Sequence, residues 1–425
     1  MKFSVTNLGC KVNAFETESI ADMLEKAGYE RSDDASGNDI SIIFTCAVTN
    51  TAAAKSRQMI HRAKRNNPDG ILVVAGCYAQ IDPEALESAD ILVGSTNKMK
   101  IPEYIGDYLE KHQKIRGDSD LKNAGFEPMT VDRFTHQTRA YLRIQDGCNQ
   151  FCSYCIIPYA RGRERSMTPD MAVQEAVRLS RSHKEIVLTG IHTGRYGREY
   201  GVTLAQLMKR ILKEAPELER LRISSIEITE LDDEFVSLMK EEKRIARHLH
   251  IPLQAGSDRI LELMRRPYDT DGYYARMEEI RNAVDDLSVS CDLMTGFPSE
   301  TDQEHRDALA FAEKCRFSFM HVFPYSAREG TPAADMAEQI DPRIKKQRAS
   351  ECLALSERLY DAYKDTWVNR EAEVICETVR NGCTRGYTSQ YLPVQIAGEE
   401  TPGTLLKVRL SERRGHMMYG KKEEL

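Results

Sequence analysis

The sequence predicts a mixed α/β protein in three parts: a parallel α/β domain at the N-terminus, a partial (β/α)6 barrel, and a small all-β barrel at the C-terminus. Three observations lead there. Short apolar runs alternate with helical periodicity up to about residue 113. The same alternation recurs about six times between Arg139 and about Ala327. After residue 366 the chain changes to short strand-like runs separated by Asn-Gly, Gly-Glu and Pro-Gly turn signals.

In the first part, "KFSVTNLGC", "DISIIFTC" and "GILVVAGC" read as buried strands. Helical stretches follow at Glu16 to Lys26, Thr51 to Lys64 and Pro83 to Glu87, the βαβ pattern of a parallel sheet covered on both faces. Residues 114–135 are polar and without periodicity, which marks a linker. The second part, 136–366, offers six strands: "AYLRIQ", "EIVLTG", "RLRISSI", "HLHIPL", "LSVSCDLMTG" and "FSFMHVFPY". Helices are expected at Pro169 to Arg181, Leu204 to Glu214, Asp233 to Glu241, Asp258 to Met264, Gly272 to Val284 and Gln303 to Lys314. Thr168-Pro169-Asp170 supplies an N-cap, a first-turn proline and a first-turn acid. A long helix from Asp341 to about Val368 leaves the barrel. In 367–425, "AEVICETV", "CTRGYTSQYLPVQI" and "TLLKVRL" are the strand-like runs.

A chain of 425 residues, 41 % hydrophobic and 29 % charged, has the make-up of a soluble protein with two or three domains. No apolar run approaches a bilayer span, and the N-terminus lacks a signal-peptide pattern, so a cytoplasmic protein without a membrane partner is expected. The net charge of −7 argues against nucleic-acid binding through global charge. It leaves room for local basic faces, at Arg161, Arg163 and Arg165 or at Arg409, Arg413, Arg414, Lys421 and Lys422.

Eleven cysteines in such a chain point to metal or redox chemistry rather than disulfides. Cys10, Cys46 and Cys77 each stand where a predicted strand ends and a helix begins, the edge of an α/β sheet where ligands bind. Cys148, Cys152 and Cys155 form a C-x3-C-x2-C set directly after the first barrel strand, at the predicted active face. A structural zinc wants four ligands, and the next cysteine, Cys291, is far along the chain. A cubane iron–sulfur cluster held by three thiolates leaves one iron open to a small molecule with N and O donors. Cys291, Cys315, Cys352, Cys376 and Cys383 have no ligand spacing and read as buried or surface thiols. His192, His248 and His250 read as structural.

The three-cysteine spacing, with Tyr154 before the last cysteine, resembles the radical S-adenosylmethionine (SAM) signature. "LGCKVNAFETES", "FTCAVT" and "VAGCYAQ" resemble the N-terminal domain of the methylthiotransferase family. "GCNQFCSYCIIPYARGRERS", "LTGIHTGRYG", "HIPLQAGSDRIL", "MRRPY" and "TGFPSET" resemble its radical-SAM core, and the last domain resembles a TRAM barrel, which binds RNA.

The resemblance implies two [4Fe-4S] clusters, one on Cys10, Cys46 and Cys77 and one on Cys148, Cys152 and Cys155. It also implies SAM as methyl donor and as source of a 5′-deoxyadenosyl radical. The barrel geometry and the resemblance together place Gly190, Ser225, Gln254 and Pro298 near SAM, and the resemblance adds Tyr154. Such a reaction needs an external electron donor and a sulfur source.

"LGCKVN", "TGIHTGRYG" and "RISSIE" resemble the branch that acts on threonylcarbamoyladenosine 37 in the tRNA anticodon loop. The alternatives are the isopentenyladenosine enzyme and a noncatalytic iron–sulfur RNA-binding sensor. A threonylcarbamoyl carboxylate calls for a cation, and Arg161, Arg163 and Arg195 are the candidates. Tyr159, Tyr196 and Tyr200 are candidates for stacking on a splayed base. Phe44, Met167 and Ala255 depart from the family's pattern.

Overall fold

The structure, a computed structural model, describes residues 1–132, 134 and 137–423. Arg133, Thr135 and His136, at the end of the expected linker and the start of the expected barrel, lie outside the described residues. So do Glu424 and Leu425, the last two residues of the expected C-terminal barrel.

The first sheet has six parallel strands: β1 (Lys2–Asn7), β2 (Glu30–Arg31), β3 (Ile40–Thr45), β4 (Ile71–Gly76), β5 (Ile91–Val93) and β6 (Ile115–Arg116), in the order β2-β1-β3-β4-β5-β6. The three runs expected from sequence are its centre. β3 and β4 are buried at every residue, as a strand covered on both faces must be. β6 falls in the stretch read as a linker. Helices α1 (Lys11–Lys26), α2 (Asn50–Asn66), α3 (Cys77–Ile81) and α4 (Ile101–Lys111) fill the connections. α1 starts five residues earlier than its apolar periodicity suggests, because Cys10 itself is the N-cap.

The second unit follows the β/α pattern. β7 (Ala140–Arg143) leads into β8 (Gln145–Asp146), the short α5 (Ile157–Arg161) and β9 (Arg165–Ser166). Then come α6 (Pro169–Ser180), β10 (Glu185–Thr189), α7 (Leu204–Glu214), β11 (Arg220–Ile223), α8 (Asp233–Glu241) and β12 (His248–His250). These are followed by α9 (Asp258–Leu263), α10 (Thr270–Ala283), β13 (Ser288–Thr295), α11 (Asp302–Cys315), β14 (Phe319–Pro324) and α12 (Pro342–Asp365). The parallel trios β11-β10-β7 and β12-β13-β14 meet through a parallel bridge between Leu221 and Ile245, giving six strands of an open barrel. Amphipathic helices such as α7, with Leu204, Leu207, Met208 and Ile211 buried, cover its outside.

The third unit is a closed barrel of β15 (Glu371–Arg380), β16 (Cys383–Thr388), β17 (Pro393–Ala397), β18 (Leu405–Arg414) and β19 (Met417–Lys422). The run "CTRGYTSQYLPVQI" is two strands rather than one, because the chain reverses at Ser389–Tyr391.

This barrel closes the amino-terminal mouth of the larger one. Glu185 opens β10 and is buried. Its carboxylate accepts from Arg222 Nε at 2.6 Å and Arg220 Nη1 at 3.2 Å. The two guanidiniums then donate to the carbonyls of Glu373, Tyr387, Thr388 and Ser389 in the C-terminal barrel. Replacing Glu185 with Leu strands two buried cations, at a cost of about 3–5 kcal/mol. Urea unfolding is expected to report that loss, with faster proteolysis between α12 and β15. A loss below about 1 kcal/mol would mean the carbonyls alone hold the arginines.

Candidate active site between the two cysteine sets

Cys10, Cys46 and Cys77 sit at the carboxyl ends of β1, β3 and β4, which are neighbours in the sheet. Adjacent parallel strands in register, with Asn7 beside Phe44 and Thr45 beside Gly76, bring the three thiols to one edge. Gly76 is required there: its φ is +102°, and a Cβ would lie 2.8 Å from the Thr45 carbonyl oxygen.

The second set lies on a loop pinched shut by β8 and β9, which pair Gln145 with Ser166 and Asp146 with Arg165. Gly147, at φ +73°, lets the chain turn into Cys148 where a Cβ would meet the Arg163 carbonyl oxygen at 1.9 Å. Gln145 ties this loop to the end of β10: its Nε2 donates to the Gly147 carbonyl at 2.8 Å, and its Oε1 accepts from the His192 amide at 2.7 Å.

All six thiols are free. In four of them the amide two residues on donates to the sulfur: Val12 to Cys10, Val48 to Cys46, Gln150 to Cys148 at 3.4 Å, and Ile157 to Cys155. Cations stand beside both sets. Arg161 Nε donates to Cys77 Sγ at 3.1 Å, and Arg266 Nη1 to Cys152 Sγ at 3.3 Å. Cys148 Sγ lies 3.5 Å from His192 Nδ1, and His192 Nε2 lies 2.7 Å from Glu230 Oε1. Burial works against a charge on His192, but Cys148 and Glu230 outweigh it and lift its pKa to about 10.

Burial pushes the thiol of Cys46 up to about 11 and that of Cys155 to about 12. Both are protonated near neutrality, and a metal must displace their protons. Among the described residues no three His, Cys, Asp or Glu side chains converge on a single-ion site. Three thiols per set, amide donors to sulfur and nearby cations fit an anionic multi-iron cluster better than a zinc ion.

A buried ion network joins the two sets. Arg161 is fully buried. Its Nη1 donates to Glu16 Oε1 at 2.6 Å and its Nη2 to Glu16 Oε2 at 3.2 Å, with a further hydrogen bond to Asn13 Oδ1. Arg143 Nη1 and Lys98 Nζ reach the same Glu16 oxygen at 2.8 and 3.2 Å. Asp146 accepts from Arg165 at 2.9 Å. Burial would raise the Glu16 carboxyl, but Arg161, Lys98 and Arg143 hold it below its ordinary value.

Between the three units lies a cavity of about 750 Å3, lined by Cys10, Lys11, Gly190, Ser225, His250 and Tyr391 among others. Ser224 Oγ, His248 Nδ1 and Gln254 Oε1 are buried without a hydrogen-bond partner among the described residues, open acceptors or donors for a polar molecule. Of the residues expected near SAM, Gly190 and Ser225 line the cavity. Gln254 and Pro298 are buried but outside its lining; buried Cys152 and half-buried Cys148 and Cys155 also lie outside it. Tyr154 packs partly buried beside Ala255, Met264 and Phe297.

The candidate carboxylate-binding arginines fall elsewhere. Arg161 is spent on Glu16, Asn13 and Cys77, and Arg195 forms a two-pronged pair with Glu164 at 2.6 and 3.0 Å. Arg163 is exposed and outside the cavity lining. Of the candidate stacking tyrosines, Tyr196 is buried and Tyr200 donates to the Ser166 carbonyl. Tyr159 is exposed, edge-on to Phe151. His192, read as structural from sequence, stands against Cys148. Arg266, carried in "MRRPY", was visible only as part of a motif. Phe44, Met167 and Ala255 are all buried in apolar clusters.

Replacing Arg161 with Met leaves Glu16 buried without its two-pronged partner. Thermal and urea unfolding are expected to show a loss of about 3–5 kcal/mol, and the double change Arg161→Met with Glu16→Leu should recover part of it. A double variant no more stable than the single one would show that the arginine acts through Cys77 rather than through Glu16.

Comparison with known proteins agrees with this arrangement. The chain matches the family models described as Radical SAM superfamily, over residues 142–312, and Uncharacterized protein family UPF0004, over residues 2–94. It is 42 % identical to the threonylcarbamoyladenosine tRNA methylthiotransferase MtaB of Bacillus subtilis, over 95 % of this chain and 92 % of the relative. It is 31 % identical to the tRNA-2-methylthio-N(6)-dimethylallyladenosine synthase of Acetivibrio thermocellus, over 95 % and 86 %. Among solved structures, the radical S-adenosylmethionine methyltransferase TsrM of Kitasatospora setae shares the fold, with a TM-score of 0.59 at 13 % identity, covering 78 % of this chain and 74 % of that one. With both halves of the site matched and the relatives aligned along nearly its full length, the chain belongs to the radical-SAM methylthiotransferase family, in its threonylcarbamoyladenosine branch.

Proposed function

We propose that this protein converts N6-threonylcarbamoyladenosine at position 37 of tRNA into its 2-methylthio derivative, with SAM as methyl donor and radical source. The observation that carries the reading is the shared cavity. It touches Cys10 of the first sheet and Gly190 and Ser225 at the strand ends of the barrel, so a nucleoside held there would lie between the first cysteine set and the barrel's strand ends. In this reading residues 1–113 form the domain of the auxiliary cluster, 136–366 the radical-SAM core and 367–425 the TRAM-like domain.

Cys148, Cys152 and Cys155 would hold a [4Fe-4S] cluster with one iron open to SAM, and Cys10, Cys46 and Cys77 a second. Together with SAM these groups supply a 5′-deoxyadenosyl radical and the sulfur to be methylated and transferred. The chain supplies the rest. Arg161 and Arg266 offset thiolate charge, and Glu230 fixes His192 against Cys148. Ser224, in the cavity wall, offers an unpaired polar atom to SAM. The Glu16 network keeps water from between the domains. An external electron donor and a sulfur source complete the cycle.

A tRNA substrate needs a basic surface, and four of the C-terminal barrel's cations are paired: Arg409 with Glu371, Arg413 with Asp365, Arg414 with Glu412 and Lys422 with Glu400. Helix α2 differs. From Cys46 to Pro68 the sequence holds five Lys and Arg and no Asp or Glu. Lys55, Arg62 and Arg65 share its exposed face, opposite buried Ala53, Ser56 and Ile60. This stripe starts just beyond Cys46 and suits an RNA backbone approaching the cavity.

Nucleoside mass spectrometry of tRNA from cells with and without the gene tests the reaction. The methylthio form of threonylcarbamoyladenosine should vanish on deletion while the unmethylthiolated form accumulates. Loss of the methylthio isopentenyl nucleoside instead would move the protein to the other tRNA branch. For the surface, changing Lys55, Arg62 and Arg65 together to Gln should cut the slope of log affinity for tRNA against log salt by about one for each phosphate that is no longer neutralised. An unchanged slope would place the RNA on another face.

A further inference from the structure

The threonylcarbamoyl group presents a carboxylate, and the cavity must meet it with a cation. Among the lining residues only Lys11 and Arg222 are cationic. Arg222 is occupied: it is paired with Glu185, donates to the carbonyls of Thr388 and Ser389, and lies over the Tyr391 ring at 4.9 Å. The single carboxylate in the lining, Asp292, has His250 Nε2 at 3.2 Å. Lys11 is half-buried at the first position of α1 and forms no ion pair or hydrogen bond through its ammonium among the described residues. Its ammonium is therefore available to a molecule in the chamber.

We propose that Lys11 binds the carboxylate of the adenosine N6 substituent and so selects carboxylate-bearing adenosines over those with a neutral substituent. This rests on the function proposed above and names the group that sets its substrate class. The geometry of adenine supports it. Only ring N1 separates C2, the carbon to be methylthiolated, from the carbon that bears N6. A cation at the residue after Cys10 is then within a side chain's reach of a carboxylate hung from N6 when C2 faces the sulfur site. An ammonium on a flexible four-carbon stem suits a carboxylate that must enter and leave at each turnover. A neutral isopentenyl group would gain nothing from Lys11 and would bury it unpaired.

The test uses the cluster-loaded enzyme and two anticodon stem-loop RNAs, one carrying N6-threonylcarbamoyladenosine and one with its carboxylate as the methyl ester. Wild type should favour the acid in kcat/KM by on the order of ten- to a hundred-fold, as a charge-assisted contact allows. Lys11→Met should bring that ratio close to one, chiefly through KM, and Lys11→Arg should keep it. The same ratio can be read from equilibrium binding of the two RNAs, which needs no turnover and so survives a variant with a damaged cluster. Equal use of acid and ester by wild type, or an undiminished ratio in Lys11→Met, would overturn the proposal. A wild type inactive on both RNAs would overturn the reading of the reaction beneath it.

Discussion

The site depends on one guanidinium. Arg161 stands six residues after Cys155, on the short helix α5, yet its charge is used in the other domain, between Glu16 of α1 and Cys77 of α3. Placing Glu16 there costs desolvation of a carboxylate. Arg161, Arg143 and Lys98 offset it, with cations in excess on the side facing Cys77. Ile156 and Ala160 of the same stretch pack into the apolar cluster around Tyr78 and Leu86, so charge and packing fix the same relation between the two units. Take away the arginine and the loop that carries Cys148, Cys152 and Cys155 loses its anchor on the sheet that carries Cys10, Cys46 and Cys77.

The two halves solve one chemical problem by similar means on different scaffolds. Each takes three thiols from the carboxyl-end face of parallel strands and supplies amide donors two residues on. Each sets an arginine against one sulfur. The C-terminal barrel enters from the opposite side. Through Arg220, Arg222 and Glu185 it seals the amino-terminal mouth of the larger barrel and contributes Tyr391 to the cavity wall. Its docking thereby shapes the chamber from below while the first sheet shapes it from above.

Much of this was legible in the sequence because it rests on local pattern. The β3 and β4 runs, the amphipathic helices α7 and α8, and the placing of cysteines at strand ends all follow from periodicity and spacing. What escaped was short or non-local. Glu30–Arg31, Ile91–Val93 and Ile115–Arg116 have two or three residues each, too few to show alternation. β19, "MMYGKK", is half polar and is held by pairing with β17 and β18. Which arginine meets which carboxylate is beyond sequence reasoning. Arg161 finds Glu16 across 145 positions, and no local feature separates it from exposed Arg163. Lys11 sat inside a quoted motif, but only the structure shows that it lines the cavity and forms no ion pair among the described residues.

The central claim is that two separate three-cysteine sets each hold a cluster. Iron and sulfide analysis with Mössbauer spectroscopy tests it most directly, comparing anaerobically reconstituted wild type with a variant in which Cys10, Cys46 and Cys77 are all alanine. The account predicts about eight irons per chain in wild type and about four in the variant, the latter still in a [4Fe-4S] cluster that binds SAM. Equal iron in the two proteins, or loss of all iron from the variant, would contradict it.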